Sequence, residues 1–114
     1  MTNRVVLVTN AFLPTMRNQQ YGRIISITSA MANLVYEGLG AYSAAKAGLE
    51  GLMKTVAIEE VANGILVNLF DPGNLKTEQN PYGVGDSASV VDKLVYLATL
   101  PENGINGQVI RAEQ

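Results

Sequence analysis

The 114-residue chain contains no cysteine and no histidine. The first absence excludes disulfides and thiolate chemistry and is compatible with a cytoplasmic location, which is the expected one. The second removes the commonest general base and metal ligand, so a Ser-His-Asp hydrolase is excluded and no metal site is expected. No apolar run reaches the ~18 residues that a membrane span needs. The amino-terminal apolar stretch is short and lacks a cleavage-like flank, so no signal peptide is expected. The net charge of −2 offers no basic footprint and argues against a nucleic-acid partner. There is no internal repeat and no low-complexity tract. What the chain does have is hydrophobic residues, at 47%, enough for an ordinary globular core and a single domain over residues 1–114.

The chain is organised around residues 21–51, YGRIISITSAMANLVYEGLGAYSAAKAGLEG. Ile24, Ile25 and Ile27 form a short β-branched run after Gly22, which predicts a strand over Arg23–Thr28 with Ser29 at its carboxyl end. Apolar character on both faces predicts a central strand of a parallel sheet. An alanine-rich segment then predicts one long helix from Ala41 to Ala62. Leu49, Leu52, Met53, Val56 and Ala57 supply its larger apolar positions, and Ala44, Ala45, Ala47 and Gly48 a small-residue face. Tyr42 and Lys46 are four residues apart and so share one helix face. In layered α/β folds a strand end beside such a helix is a usual place for a site.

Those three residue types suit one chemistry. A tyrosine normally loses its proton near pH ~10, but a neighbouring ammonium favours the phenolate and lowers that value toward the working range. The Ser29 hydroxyl can hydrogen-bond a substrate oxygen whose charge changes during reaction. Together they suit proton transfer at the oxygen of an alcohol or carbonyl. The hydride that must move at the carbon needs a nicotinamide cofactor, because no side chain can carry it. Each piece also has a plainer reading: Tyr42 and Lys46 as an amphipathic surface pair, and Ser29 as a turn former.

Ser29, followed thirteen residues later by Tyr42-Ser-Ala-Ala-Lys46, resembles the catalytic Ser…Tyr-x-x-x-Lys of the short-chain dehydrogenase/reductase family. Three other stretches agree in order: Phe12-Leu-Pro-Thr-Met16 with Gly22-Arg-Ile-Ile, Gly64-Ile-Leu-Val-Asn68, and Asp71-Pro-Gly-Asn-Leu-Lys-Thr77. The resemblance runs from about Val5 to Arg111. It implies a Rossmann-like, doubly wound parallel sheet, here incomplete with about three strands and three helices. It implies NADP or NAD as cofactor and a small carbonyl or alcohol as substrate. Tyr42 becomes the acid–base group and Lys46 the residue that lowers its pKa and holds the nicotinamide ribose, while Ser29 orients the substrate oxygen. Pro72, Gly73, the Leu75 backbone and the Thr77 hydroxyl become nicotinamide contacts. The Ala41–Ala62 helix becomes the contact of a homo-oligomer. The family is about twice as long, and the chain has no G-x-x-x-G-x-G phosphate loop, so it resembles the carboxyl-terminal half of such an enzyme, beginning partway along a helix.

The remaining segments give further expectations. Val5–Val8 reads either as a strand or as part of a helix from Arg4 to Arg17, whose apolar face would hold Leu7, Ala11 and Leu13. In the helix reading Pro14 is expected to kink or end it. Met31, Leu34, Val35 and Tyr36 suggest a pocket wall or a packing patch. Glu59 and Glu60, late in the long helix and against its dipole, are expected to be solvated. Gly64 is expected as a left-handed cap, followed by a strand over Ile65–Phe70, and the two strands should form a right-handed parallel crossover. Residues 77–88 read as a lid or a linker. A helix from about Ala88 to Leu100, with Val90, Val91, Leu94, Val95 and Leu97 as its apolar face, precedes a last strand over Gly107–Arg111.

Two functional readings follow: an NAD(P)-dependent oxidoreductase, or a truncated non-catalytic dehydrogenase-like module for dimerisation or interaction. A further reading is that two such chains exchange elements to rebuild a sheet, since a half-sheet leaves long apolar edges exposed.

Overall fold

The computed structural model of the chain describes residues 2–28, 40–72 and 87–112. Helix α1 spans Thr2–Gln19, strand β1 Gly22–Ile27, helix α2 Gly40–Glu60, strand β2 Ile65–Asp71, helix α3 Ser87–Ala98 and strand β3 Val109–Arg111. The strands form one parallel sheet in the order β1-β2-β3. This is the incomplete α/β architecture that the sequence implies.

The amino-terminal segment is helical throughout, and Pro14 does not end it: α1 continues five residues further. The packed stripe is Val5, Leu13 and Met16, not Leu7 and Ala11; Leu7 stays 68% exposed. Spacings of eight and three residues keep the packed three on one side of a 3.6-residue helix. Met16 sits against Gly22, where any side chain would collide with its sulfur. The carboxyl end of α1 therefore lies at the start of β1, and the two run in opposite directions.

Among the described residues β2 is the middle strand of the sheet. All seven of its residues are buried. Ile65, Val67 and Leu69 face α1 and α2, joining Leu13, Leu49, Met53 and Ala57 in one core cluster. Leu66 and Phe70 face the other way, onto Val90, Leu97 and Leu100. A strand covered on both faces reads as a continuous apolar run, which is why Ile65–Phe70 carries so little alternation. Among the described residues β1 pairs only with β2, so its far edge is open, and Ile27 is half exposed.

Helix α2 closes through a 3-10 turn at Val61–Asn63, and Gly64 caps it at φ 76° with its N–H bonded to the Val61 carbonyl. That left-handed backbone suits glycine. Glu60 is not solvated. It is buried, and the Arg17 guanidinium donates to its carboxylate from Nε at 2.9 and 3.0 Å and from Nη2, while Asn63 Nδ2 donates at 3.0 Å. The last strand is shorter than expected because Gly107, at φ 70°, cannot continue an extended run. On α3 the apolar side is split: Val90 and Leu97 are buried, whereas Val91 and Val95 are exposed.

Candidate active site

The carboxyl ends of β1 and β2 lie side by side. Ile27 is in register with Phe70, and the Thr28 N–H donates to the Phe70 carbonyl at 2.8 Å. Thr28, the described residue that precedes Ser29 in sequence, and Pro72, which follows Asp71, lie at this one edge of the sheet. Pro72 is partly buried there. Ser29, Gly73, Leu75 and Thr77 lie outside the described residues, as do the expected pocket wall at Met31–Tyr36 and most of the 77–88 segment.

Helix α2 crosses above this edge. Its buried positions Leu49, Met53 and Ala57 follow a four-residue spacing, which fixes the rotation of the helix on the sheet. Thr28, almost fully buried, donates its hydroxyl to Glu50 Oε1 at 2.8 Å. This bond ties the end of β1 to the helix. Lys46 lies one turn toward the helix start from Glu50, and the Tyr42 backbone lies one turn further, within the helix. Each turn advances about 6 Å for four residues, so both positions continue past the strand end. Lys46 is partly buried and helps to line a cavity of about 470 Å³ with Val5, Val8, Ile24, Ser26, Leu49 and Met53. Its ammonium is the one charge among the residues lining that cavity.

Lys46 is thus a cationic side chain at this end of the sheet that could donate to a polar group of a bound cofactor. Neither Thr28 nor Glu50 was legible as part of the site. A polar residue at the end of an otherwise apolar strand, facing a carboxylate four residues beyond a candidate lysine, was the available signal.

Asn68 and Asn106 lock the rest of the edge in place. Asn68, buried at the centre of β2, donates from Nδ2 to the Ile105 carbonyl at 3.0 Å and accepts the Gln108 N–H at 3.1 Å. Asn106 accepts the Val67 N–H at 2.9 Å and donates to the Ala57 carbonyl at 2.9 Å. Among the described residues no helix is long and apolar enough to cross a membrane.

The profile of a family described as short chain dehydrogenase matches residues 2–83. A 3-oxoacyl-[acyl-carrier-protein] reductase of Synechocystis is 45% identical over 74 residues, covering 65% of this chain and 30% of that protein. An NADPH-dependent aldehyde reductase-like chloroplastic protein of Arabidopsis thaliana is 34% identical over 106 residues, covering 78% and 39%. The crystal structure of acetoin dehydrogenase from Enterobacter cloacae superposes with a TM-score of 0.82 at 28% identity, covering 94% of this chain and 48% of that one. The chain spans about half or less of the length of these relatives.

Proposed function

The chain belongs to the short chain dehydrogenase family, and on that premise we propose that it is the carboxyl-terminal half of an oxidoreductase moving a hydride between NADP or NAD and a small carbonyl or alcohol. The observation that carries this reading is the Thr28–Glu50 bond, which fastens the strand leading into Ser29 to the helix bearing Lys46 and Tyr42. The nicotinamide supplies the hydride chemistry when bound. The chain's own residues do the rest. Tyr42 gives or takes the proton at the substrate oxygen, Ser29 orients that oxygen, and Lys46 favours the phenolate and holds the ribose. Pro72, Gly73, Leu75 and Thr77 form the wall against the nicotinamide. The three relatives are a 3-oxoacyl-[acyl-carrier-protein] reductase, an NADPH-dependent aldehyde reductase-like protein and an acetoin dehydrogenase, which supports a carbonyl or alcohol substrate. Exposed Ala44, Ala45, Ala47 and Gly48 support a homo-oligomer contact along α2. A cysteine-free chain supports a cytoplasmic home.

A second reading, a non-catalytic dimerisation or interaction module, is favoured by one observation: the sequence has no G-x-x-x-G-x-G phosphate loop. Titration of the purified chain with NADPH and NADH, followed by fluorescence, separates the two. Saturable binding supports the enzyme. No binding to a folded chain restricts catalysis to a longer protein. In that protein Tyr42→Phe is expected to lower hydride transfer by about a thousandfold, and retained turnover would refute the assignment.

A further inference from the structure

We infer that Asn103 is a modification site. Of the Asn-Gly pairs in the chain, the fold leaves this one open to spontaneous succinimide formation, and the isoaspartate that results loosens the amino-terminal end of the sheet. The pairs are Asn63-Gly64, Asn103-Gly104 and Asn106-Gly107. A glycine after asparagine presents a backbone nitrogen with no side chain to hinder its approach to the asparagine Cγ. The inference is independent of the functional reading.

The chemistry needs water and no other co-reactant. The Gly104 nitrogen, after losing its proton to hydroxide, attacks Asn103 Cγ. The N–Cγ bond forms, the Cγ–Nδ2 bond breaks, and Nδ2 leaves as ammonia with a proton from water. Water then opens the ring. Cleavage of the N–Cγ bond leaves aspartate. Cleavage between that nitrogen and the main-chain carbonyl carbon leaves isoaspartate, whose backbone is one methylene longer.

Two of the pairs are held. Asn106 accepts the Val67 N–H at 2.9 Å and donates to the Ala57 carbonyl at 2.9 Å, and the Gly107 N–H donates to the Val67 carbonyl at 2.7 Å. Turning Asn106 Cγ toward the Gly107 nitrogen would break these bonds against the buried strand β2. Asn63 Nδ2 donates to the buried Glu60 carboxylate at 3.0 Å, and the Gly64 N–H is bonded to the Val61 carbonyl at 3.1 Å. Asn103 differs. It is exposed, and among the described residues no hydrogen bond holds its side-chain amide. Its turn, from Pro101 to Gly104, is closed by a single bond, from the Gly104 N–H to the Pro101 carbonyl at 2.8 Å. A surface turn opens at little cost in free energy, whereas a core segment opens only at a cost approaching that of global unfolding.

The turn joins two anchored residues. Leu100 is buried, and its carbonyl accepts from Arg23 Nε at 2.9 Å. The Ile105 carbonyl accepts from the buried Asn68 amide at 3.0 Å. There is no slack between them, since a Cβ at Gly104 would lie 2.9 Å from Leu100 Cβ. An added methylene therefore displaces one anchor. Arg23 stands at the start of β1, so the disturbance falls at the opposite end of the sheet from Thr28 and Pro72.

The test ages the purified chain at mildly alkaline pH, both folded and unfolded in guanidinium, and follows asparagine, aspartate and isoaspartate at each pair by chromatography and mass spectrometry of its peptides. In the folded chain Asn103 should convert at least about tenfold faster than Asn63 and Asn106. In guanidinium the three should convert at similar rates, which assigns the selection to the fold. The folded chain should lose resistance to urea in proportion to its isoaspartate content. Asn103→Asp carries the new charge without the added methylene and should keep its urea midpoint. The inference is overturned by equal rates at the three pairs in the folded chain, by the same preference for Asn103 in guanidinium, or by an isoaspartyl chain whose urea midpoint is unchanged.

Discussion

Thr28 donates its hydroxyl to Glu50 at 2.8 Å, across 22 residues of sequence. The bond joins the residue that follows β1 to the middle of α2. A threonine buried to this depth would otherwise leave its hydroxyl without a partner.

Replacing Thr28 by valine keeps the shape and removes the donor. A net loss of about 1 kcal/mol is expected, with Thr28→Ser retaining most of the stability. Urea unfolding of the two variants checks this. If the bond also sets the position of Ser29 relative to α2, cofactor affinity should be unchanged in a complemented enzyme while kcat falls for valine and recovers for serine.

Asn68 makes a stronger case because both ends of its amide are bonded inside the core. Asn68→Leu removes two hydrogen bonds and leaves the Gln108 N–H unsatisfied, so a loss of about 2–4 kcal/mol is expected. Chemical denaturation at constant m-value is the check. A change below about 0.5 kcal/mol would mean that the Ile105–Gln108 segment is held by other contacts.

How much of this was legible depends on range. Helix α2, β2 and the capping role of Gly64 follow from local pattern: small and apolar residues at helical spacing, then glycine, then an unbroken apolar run. The Tyr42–Lys46 spacing is local too. What was not legible is long-range pairing. Glu60 reads as a solvated acid at the wrong end of a helix until Arg17, 43 residues earlier, is folded against it. Arg23 reads only as the first residue of the strand that ends at Thr28. Folded, its guanidinium donates to the Leu100, Gly22 and Gly64 carbonyls and stacks on Tyr21 at 4.3 Å. Ile24, Ile25 and Ile27 are as apolar as Ile65–Phe70, yet among the described residues β1 pairs on one side only. Apolar composition reports burial of a strand's faces, and does not tell whether each of its edges is paired.

The Glu60 pair gives a pH dependence with a definite sign. The hydrogen bond from Arg17 holds the Glu60 carboxyl below its ordinary value of 4.5, against the opposing effect of burial. A folded-state pKa below the unfolded one means the contribution is fully present above the ordinary carboxylate range. It is lost as pH falls through that range toward the folded value. Arg17 is raised further from neutrality and stays charged throughout. Urea midpoints measured from about pH 7 down to about pH 3 should therefore decline, and Glu60→Gln should start lower and decline less steeply. Equal slopes would assign the acid sensitivity to other carboxylates.

Lys46 separates architecture from catalysis. Its stem lines an apolar wall with Leu49 and Met53, and a methionine of similar length can fill the same space. Lys46→Met is expected to change stability by less than about 1 kcal/mol. If the role of Lys46 is only structural, a complemented enzyme carrying the variant keeps its pH–rate profile. If Lys46 favours the Tyr42 phenolate, the basic limb of that profile moves up toward the ordinary tyrosine range near pH ~10, and turnover at neutral pH falls by about a hundredfold. Lys46→Arg keeps the charge but changes its geometry, so it should restore part of the profile's position while leaving ribose affinity reduced. A variant that loses turnover with no movement of the profile would assign Lys46 to cofactor binding alone.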